Sequence, residues 1–132
     1  MTGHSFGRED RILKEDEFVL AVRKGRLFTT PHLRVYARPN GLAHARLGVS
    51  VSGKLAAATR RNRMKRLVRE AFRTDAEVRS RALDIVVVVK DASVLDVPAE
   101  IGEALAKAVA GHRLASGLLD ERSVAGRPRG QV

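Results

Sequence analysis

Residues 59–73, TRRNRMKRLVREAFR, lay two patterns on one helix, and the first of them anchors the fold. Met64, Leu67, Val68, Ala71 and Phe72 recur at i, i+3, i+4, i+7 and i+8, which predicts an amphipathic helix with its apolar stripe on a core. The other faces are cationic: Arg60, Arg61, Arg63, Lys65, Arg66, Arg69 and Arg73 surround the stripe, and Glu70 alone opposes them. The arginines at the start of the helix sit where unpaired N–H groups already carry partial positive charge and acids are the usual choice. Each cation there is disfavoured by roughly 0.3 kcal/mol or more in an isolated chain. A docked polyanion reverses the sign.

The flanking segments supply a sheet for that stripe. LRVYAR (33–38) alternates, with Leu33, Val35 and Ala37 on one face and Arg34, Tyr36 and Arg38 on the other. After a turn at Pro39-Asn40-Gly41, RLGVSVS (46–52) alternates again, Leu47, Val49 and Val51 opposing Gly48, Ser50 and Ser52. Side by side, the two strands leave a shallow floor of small side chains next to a tyrosine and two arginines. LDIVVVV (83–89) is apolar without alternation, as expected of an interior strand covered on both faces. Asp16 or a neighbour caps a short helix through Phe18, Ala21 and Val22 that stops at Lys24, with Gly25 in a left-handed position beyond it. A further short strand falls near 26–30. Asp96 and Pro98 open a last helix with Ile101, Ala104, Leu105 and Ala108 as its stripe and Gly111 at its end. The order α-β-β-β-α-β-α predicts an α+β fold, a two-layer α-β sandwich. Residues 1–11 read as a loose segment, 12–113 as one domain and 114–132 as a flexible basic tail.

Composition narrows the function. At 132 residues, 44% hydrophobic and 30% charged, the chain is of globular composition. It has no cysteine for a disulfide or thiolate metal site, no apolar run near the ~18 residues of a membrane span and no signal-type segment, so a cytoplasmic location is expected. The net charge is +10, and residues 46–73 hold nine Lys or Arg against one acid, +8 in 28 residues, while the remainder is nearly balanced. Charge this concentrated attracts phosphate, and the narrow, interrupted stripe favours nucleic acid over membrane. His4, His32, His44 and His112 lack metal-pair spacing, and no nucleophile motif or phosphate-binding glycine loop accompanies them. Asp84 and Asp91 at the ends of the apolar run read as strand-end caps before they read as metal ligands. Tyr36 between Arg34 and Arg38 combines a stacking ring with backbone-binding cations, as single-stranded nucleic acid requires. Phe18 has equal claims as a second ring and as core.

RRNRMKRLVREAFR, preceded by LGVSVSGK (47–54) and by LKEDEF ending at Phe18, and followed by the VVVVK strand end, resembles the protein subunit of bacterial ribonuclease P over roughly residues 11–110. The resemblance implies a βαβ crossover of the unusual left hand, in a ribosomal protein S5 domain 2-like fold. It implies that Lys54, Arg60, Arg61, Asn62, Arg63, Lys65, Arg66 and Arg69 contact the catalytic RNA. It further implies that a cleft of Phe18, Val22, Arg34, Tyr36, Arg38, Ser50 and Ser52 takes the single-stranded 5′ leader of precursor tRNA. Val22 stands where a second phenylalanine is common and Ala56 where glycine is frequent, so stacking is expected to be weaker here. Catalysis would belong to the RNA, with Mg²⁺ held mainly by it and one protein per RNA. A ribosomal or other structural RNA-binding protein, and a DNA-binding regulator, are the rival readings.

Overall fold

The computed structural model describes residues 6–111. Helix α1 (Glu15–Lys24) leads into four strands, β1 (Arg26–Thr29), β2 (Leu33–Pro39), β3 (Arg46–Val51) and β4 (Leu83–Val89). Helices α2 (Ala58–Arg73) and the single turn α3 (Ala76–Arg79) lie between β3 and β4, and α4 occupies residues 99–111. The strands form one sheet in the order β1-β2-β4-β3, with β4 antiparallel to β2 and parallel to β3. The α+β sandwich expected from the sequence and the βαβ connection implied by the resemblance are therefore present. No described helix is long and apolar enough to cross a membrane.

One face of the sheet carries the main core. Leu33, Val35, Ala37, Leu47, Ile85, Val87 and Val89 meet Met64, Val68 and Phe72 of α2 and Ile101, Ala104, Leu105 and Ala108 of α4. At about 25 cal/mol per Å² of apolar surface removed from water, this interdigitation is the chief favourable term in folding. The other face is crossed by α1, under which Ala21 and Val86 are fully buried outside that cluster. Cover on both faces explains why β4 has no polar alternation.

Several local expectations are corrected. β2 and β3 are not neighbours: β4 separates them, because the strand that is apolar on both faces belongs in the interior. Asp16 lies inside α1, whose N-cap is Lys14 without a side-chain hydrogen bond. Gly25 is extended (φ −74°, ψ 161°), not left-handed; a Cβ there would fall 2.3 Å from the Ala21 carbonyl oxygen, so close approach requires the glycine. Gly111 is likewise a packing site, since a Cβ on it would lie 2.3 Å from the Phe28 ring, and the end of α4 is outside the described residues. Asp96 closes a 3₁₀ turn (Ala92–Asp96), and α4 begins after Pro98. The described part of the segment expected to be loose is packed: Phe6 meets Phe72 edge-on at 5.8 Å, and Ile12 N–H donates to the Leu47 carbonyl beyond the Arg11–Leu47 bridge. The tail from 114 lies outside the described residues.

Candidate nucleic-acid interface

Strand register assembles the cleft in rows. Tyr36, Val86 and Gly48 align across β2, β4 and β3, and Arg34, Val88 and Ser50 form the next row. The third row is Arg38, Asp84 and Arg46. Helix α1 crosses the sheet from Arg46, which its Glu17 meets at 3.3 Å, to the Ala37 carbonyl beside Gly25. Its Phe18 ring rests on Gly48, where a Cβ would lie 2.9 Å from two ring carbons. Phe18 is thus a wall of the cleft outside the main core. Val22, one turn later, is half-buried with it. The row Arg34–Val88–Ser50 stays open: Arg34 is exposed, Ser50 is half-buried, and Val88 is the one residue of β4 that is not buried. Tyr36 and Arg38 are half-buried on this face, and Ser52 is exposed just past the end of β3.

Sequence reasoning missed two members of this surface. Val88 enters because β4 is inserted between the flanking strands, and Leu27 of β1, 47% exposed, stands directly opposite Tyr36. The four residues of β1 are too few for alternation to announce it.

The third row is closed by charge. Arg46 donates from Nε and a terminal nitrogen to both Asp84 oxygens at 2.9 and 2.8 Å, and Asn40 donates to the same carboxylate at 3.1 Å. Hydrogen bonding to Asp84 raises the Arg46 pKa against the opposing effect of burial. Arg46 therefore belongs to the +8 segment by formal charge but is committed inside the fold, and Arg73 is paired with Glu70 at 2.9 Å.

The rest of the positive charge gathers where β3 hands over to α2. The N-cap Ala57 offers no side-chain acceptor, and the first turn contains no acid, so the helix end is electrically unbalanced. Arg60, Asn62, Arg63 and Arg66 are exposed, and Lys65 and Arg69 half-buried. None of these cations has an acidic partner among the described residues, and Lys54 stands exposed in the preceding loop with its backbone N–H on Ser52 Oγ. Arg61 differs: one terminal nitrogen donates to the Ala56 carbonyl at 2.9 Å.

Among the described residues, no three His, Asp or Glu side chains converge as a metal-ligand set. Asp84 is engaged by Arg46 and Asn40. Asp91 caps the turn after β4, its carboxyl held below the usual range by the Ser93 N–H.

A small α+β domain with an uncapped, arginine-crowded helix beside an open strip of sheet has the surface of a nucleic-acid-binding protein. Residues 6–111 match the family model described as Ribonuclease P. The ribonuclease P protein component of Desulfosudis oleivorans is 39% identical over 107 residues, covering 81% of this chain and 88% of that protein. That of Thermotoga maritima is 40% identical over 84 residues, 64% of this chain and 72% of the relative. The solved RNase P protein of Staphylococcus aureus superposes with a TM-score of 0.65 at 32% identity, covering 76% of this chain and 92% of that one. The T. maritima structure gives 0.64 at 32% identity, over 74% and 92%. The chain belongs to the ribonuclease P protein family. It is the protein part of a tRNA-processing ribonucleoprotein endoribonuclease, with RNA as its partner. The ribosomal-protein reading receives no support from these relatives.

Proposed function

We propose that the start of α2 and its approach loop hold the catalytic RNA, while the cleft under α1 holds the single-stranded 5′ leader of precursor tRNA. The observation that supports this most is continuity: Gly48 and Ser50 on the cleft floor, Ser52 at its rim, Lys54 in the loop and Arg60 on α2 follow one another along a single stretch of chain. Two polyanions that repel each other would meet on that stretch. The protein lowers the repulsion and adds contacts that only a leader-bearing substrate makes, so precursor is preferred to mature tRNA. The chain's own residues bind and orient. Mg²⁺, which activates water and stabilises charge on phosphoryl oxygens, would be held by the RNA. One protein per RNA, in the cytoplasm, completes the proposal.

Six cations without acidic partners among the described residues, Lys54, Arg60, Arg63, Lys65, Arg66 and Arg69, face this task. Around six phosphate contacts lose on the order of a thousandfold in affinity between 50 and 200 mM salt. The direct test adds the purified chain to a bacterial ribonuclease P RNA at low Mg²⁺ and follows removal of the 5′ leader. Stimulation that disappears when Arg60, Arg63 and Arg66 are replaced together by Gln supports the assignment. A flat salt response, or full stimulation by the triple variant, rejects it.

A further inference from the structure

Arg61 lies in the most cationic part of the chain, yet its side chain is directed back into the protein. Its bond to the Ala56 carbonyl, five residues earlier, is partly buried. The same guanidinium nitrogen is the nearest atom, at 3.9 Å, to a Cβ built on Gly53, so the group lies over the loop of residues 52–57. Leu55 and Ala56 of that loop pack on the core, but the hydrogen bond it receives from a side chain of the helix comes from Arg61. Ala57 provides no capping side chain, and Leu55 N–H to the Ser52 carbonyl and Lys54 N–H to Ser52 Oγ, both 3.1 Å, are bonds internal to the loop. A charged donor on a carbonyl is about twice as strong as a neutral one; it ties the loop to the first turn of α2 and leaves the helix's own N–H groups uncapped.

We propose that Arg61 is a positioning residue: by holding the Ala56 carbonyl it sets the 52–57 loop, and with it the passage from the leader cleft to the RNA-binding helix, instead of neutralising a phosphate. The inference rests on the two-surface reading above. Ser52 follows the open side of β3 and Lys54 sits in the held loop, so the bond, together with the packing of Leu55 and Ala56, sets the angle at which a strand leaving the cleft reaches α2. Arg60 and Arg63, its neighbours in the motif, have no such internal partner among the described residues and remain the phosphate contacts.

The two roles separate experimentally. Affinity for the ribonuclease P RNA is measured across salt concentrations, and precursor against mature tRNA binding is measured in the reconstituted holoenzyme. The proteins compared are wild type, Arg61→Ala, Arg61→Lys and Arg63→Ala. Removing a phosphate contact lowers the salt slope by about 0.7 to 0.9, the expected result for Arg63→Ala. Arg61→Ala is expected to keep the wild-type slope and to lose roughly tenfold of the precursor preference, the scale of one charged hydrogen bond. Arg61→Lys, whose ammonium can still reach the carbonyl, recovers most of that preference. Should Arg61→Ala not fold, Arg61→Gln, which loses the charge but keeps an N–H donor, decides: an unchanged slope is expected, and a slope reduced as far as in Arg63→Ala overturns the proposal. A slope reduced as far as in Arg63→Ala overturns the proposal, as does an unchanged preference in Arg61→Ala. A wild-type protein with neither salt dependence nor precursor preference would instead remove the reading on which the inference rests.

Discussion

Replacing Gly48 by alanine tests whether the cleft is built as described. A Cβ at this position would stand 2.9 Å from Cδ2 and Cε2 of Phe18 and 3.5 Å from Ile12 Cδ1. Carbon atoms pack best at about 3.5 to 4.0 Å, so the ring must retreat by roughly 0.6 Å or more. It is attached to α1, which is itself pinned by Ala21 on the sheet and by Glu17 on Arg46. Overpacking of this kind costs about 1 to 3 kcal/mol. Against it stands the ~0.5 to 1 kcal/mol that alanine gains over glycine in a strand. The steric effect wins over most of that range, and Gly48→Ala is expected to be destabilised by up to about 2.5 kcal/mol. In a Phe18→Ala background only the backbone gain remains, and the same change becomes neutral or stabilising. Urea unfolding of the four proteins gives the coupling directly. A Gly48→Ala protein more stable than wild type, with the same effect in both backgrounds, would show that Phe18 does not rest on the strand.

Tyr36→Ala should weaken binding of leader-bearing precursor tRNA by ~1 to 3 kcal/mol and leave mature tRNA unchanged; equal losses for both substrates would move Tyr36 out of the cleft. Asp84→Asn removes the charge facing Arg46 and should cost about 2 to 3 kcal/mol in urea denaturation, below the range for fully buried pairs because Arg46 keeps 18% of its exposure. A loss under about 0.5 kcal/mol would mean that the pair is replaceable by a neutral hydrogen bond. Stability should also fall with acid through Glu100. Burial pushes this carboxyl up, but hydrogen bonds from His32 Nδ1, the Thr30 hydroxyl and the His32 N–H together outweigh it, and the folded-state pKa lies below the ordinary 4.5. A carboxyl whose pKa is lowered by folding stabilises above its unfolded value, and that stabilisation is lost as pH falls through 4.5 toward the folded value. Glu100→Gln should flatten this acid limb; an unchanged limb would assign it to other carboxylates.

The elements were legible where the pattern is local. The stripe of α2 and the alternation of β2 and β3 depend on which side of one helix or strand a residue occupies, and spacing fixes that. What was illegible is what distant segments do to one another. Gly25, Gly48 and Gly111 are small because Ala21, Phe18 and Phe28 come close, and only the first of these partners is near in sequence. Arg46 looked like a free cation because its partner Asp84 lies 38 residues away. The tie between His32 and Glu100 spans 68 residues and leaves no periodic trace. The composition of the cleft was misjudged for the same reason: the apolar run of β4 after Asp84 announces an interior strand, but nothing in it says that Val88 shows through between Arg34 and Ser50.

The placement of β4 governs when this protein can exist. β3 borders the sheet only through β4, the last strand to be made, so no three-stranded sheet reaching β3 can close until residue 89 has emerged from the ribosome. Up to that moment the arginine-rich segment has been synthesised without the floor that receives its apolar stripe. The nascent chain therefore exposes its most cationic segment before it has a complete tertiary structure, and a polyanion present during translation would meet a folding intermediate rather than a finished domain.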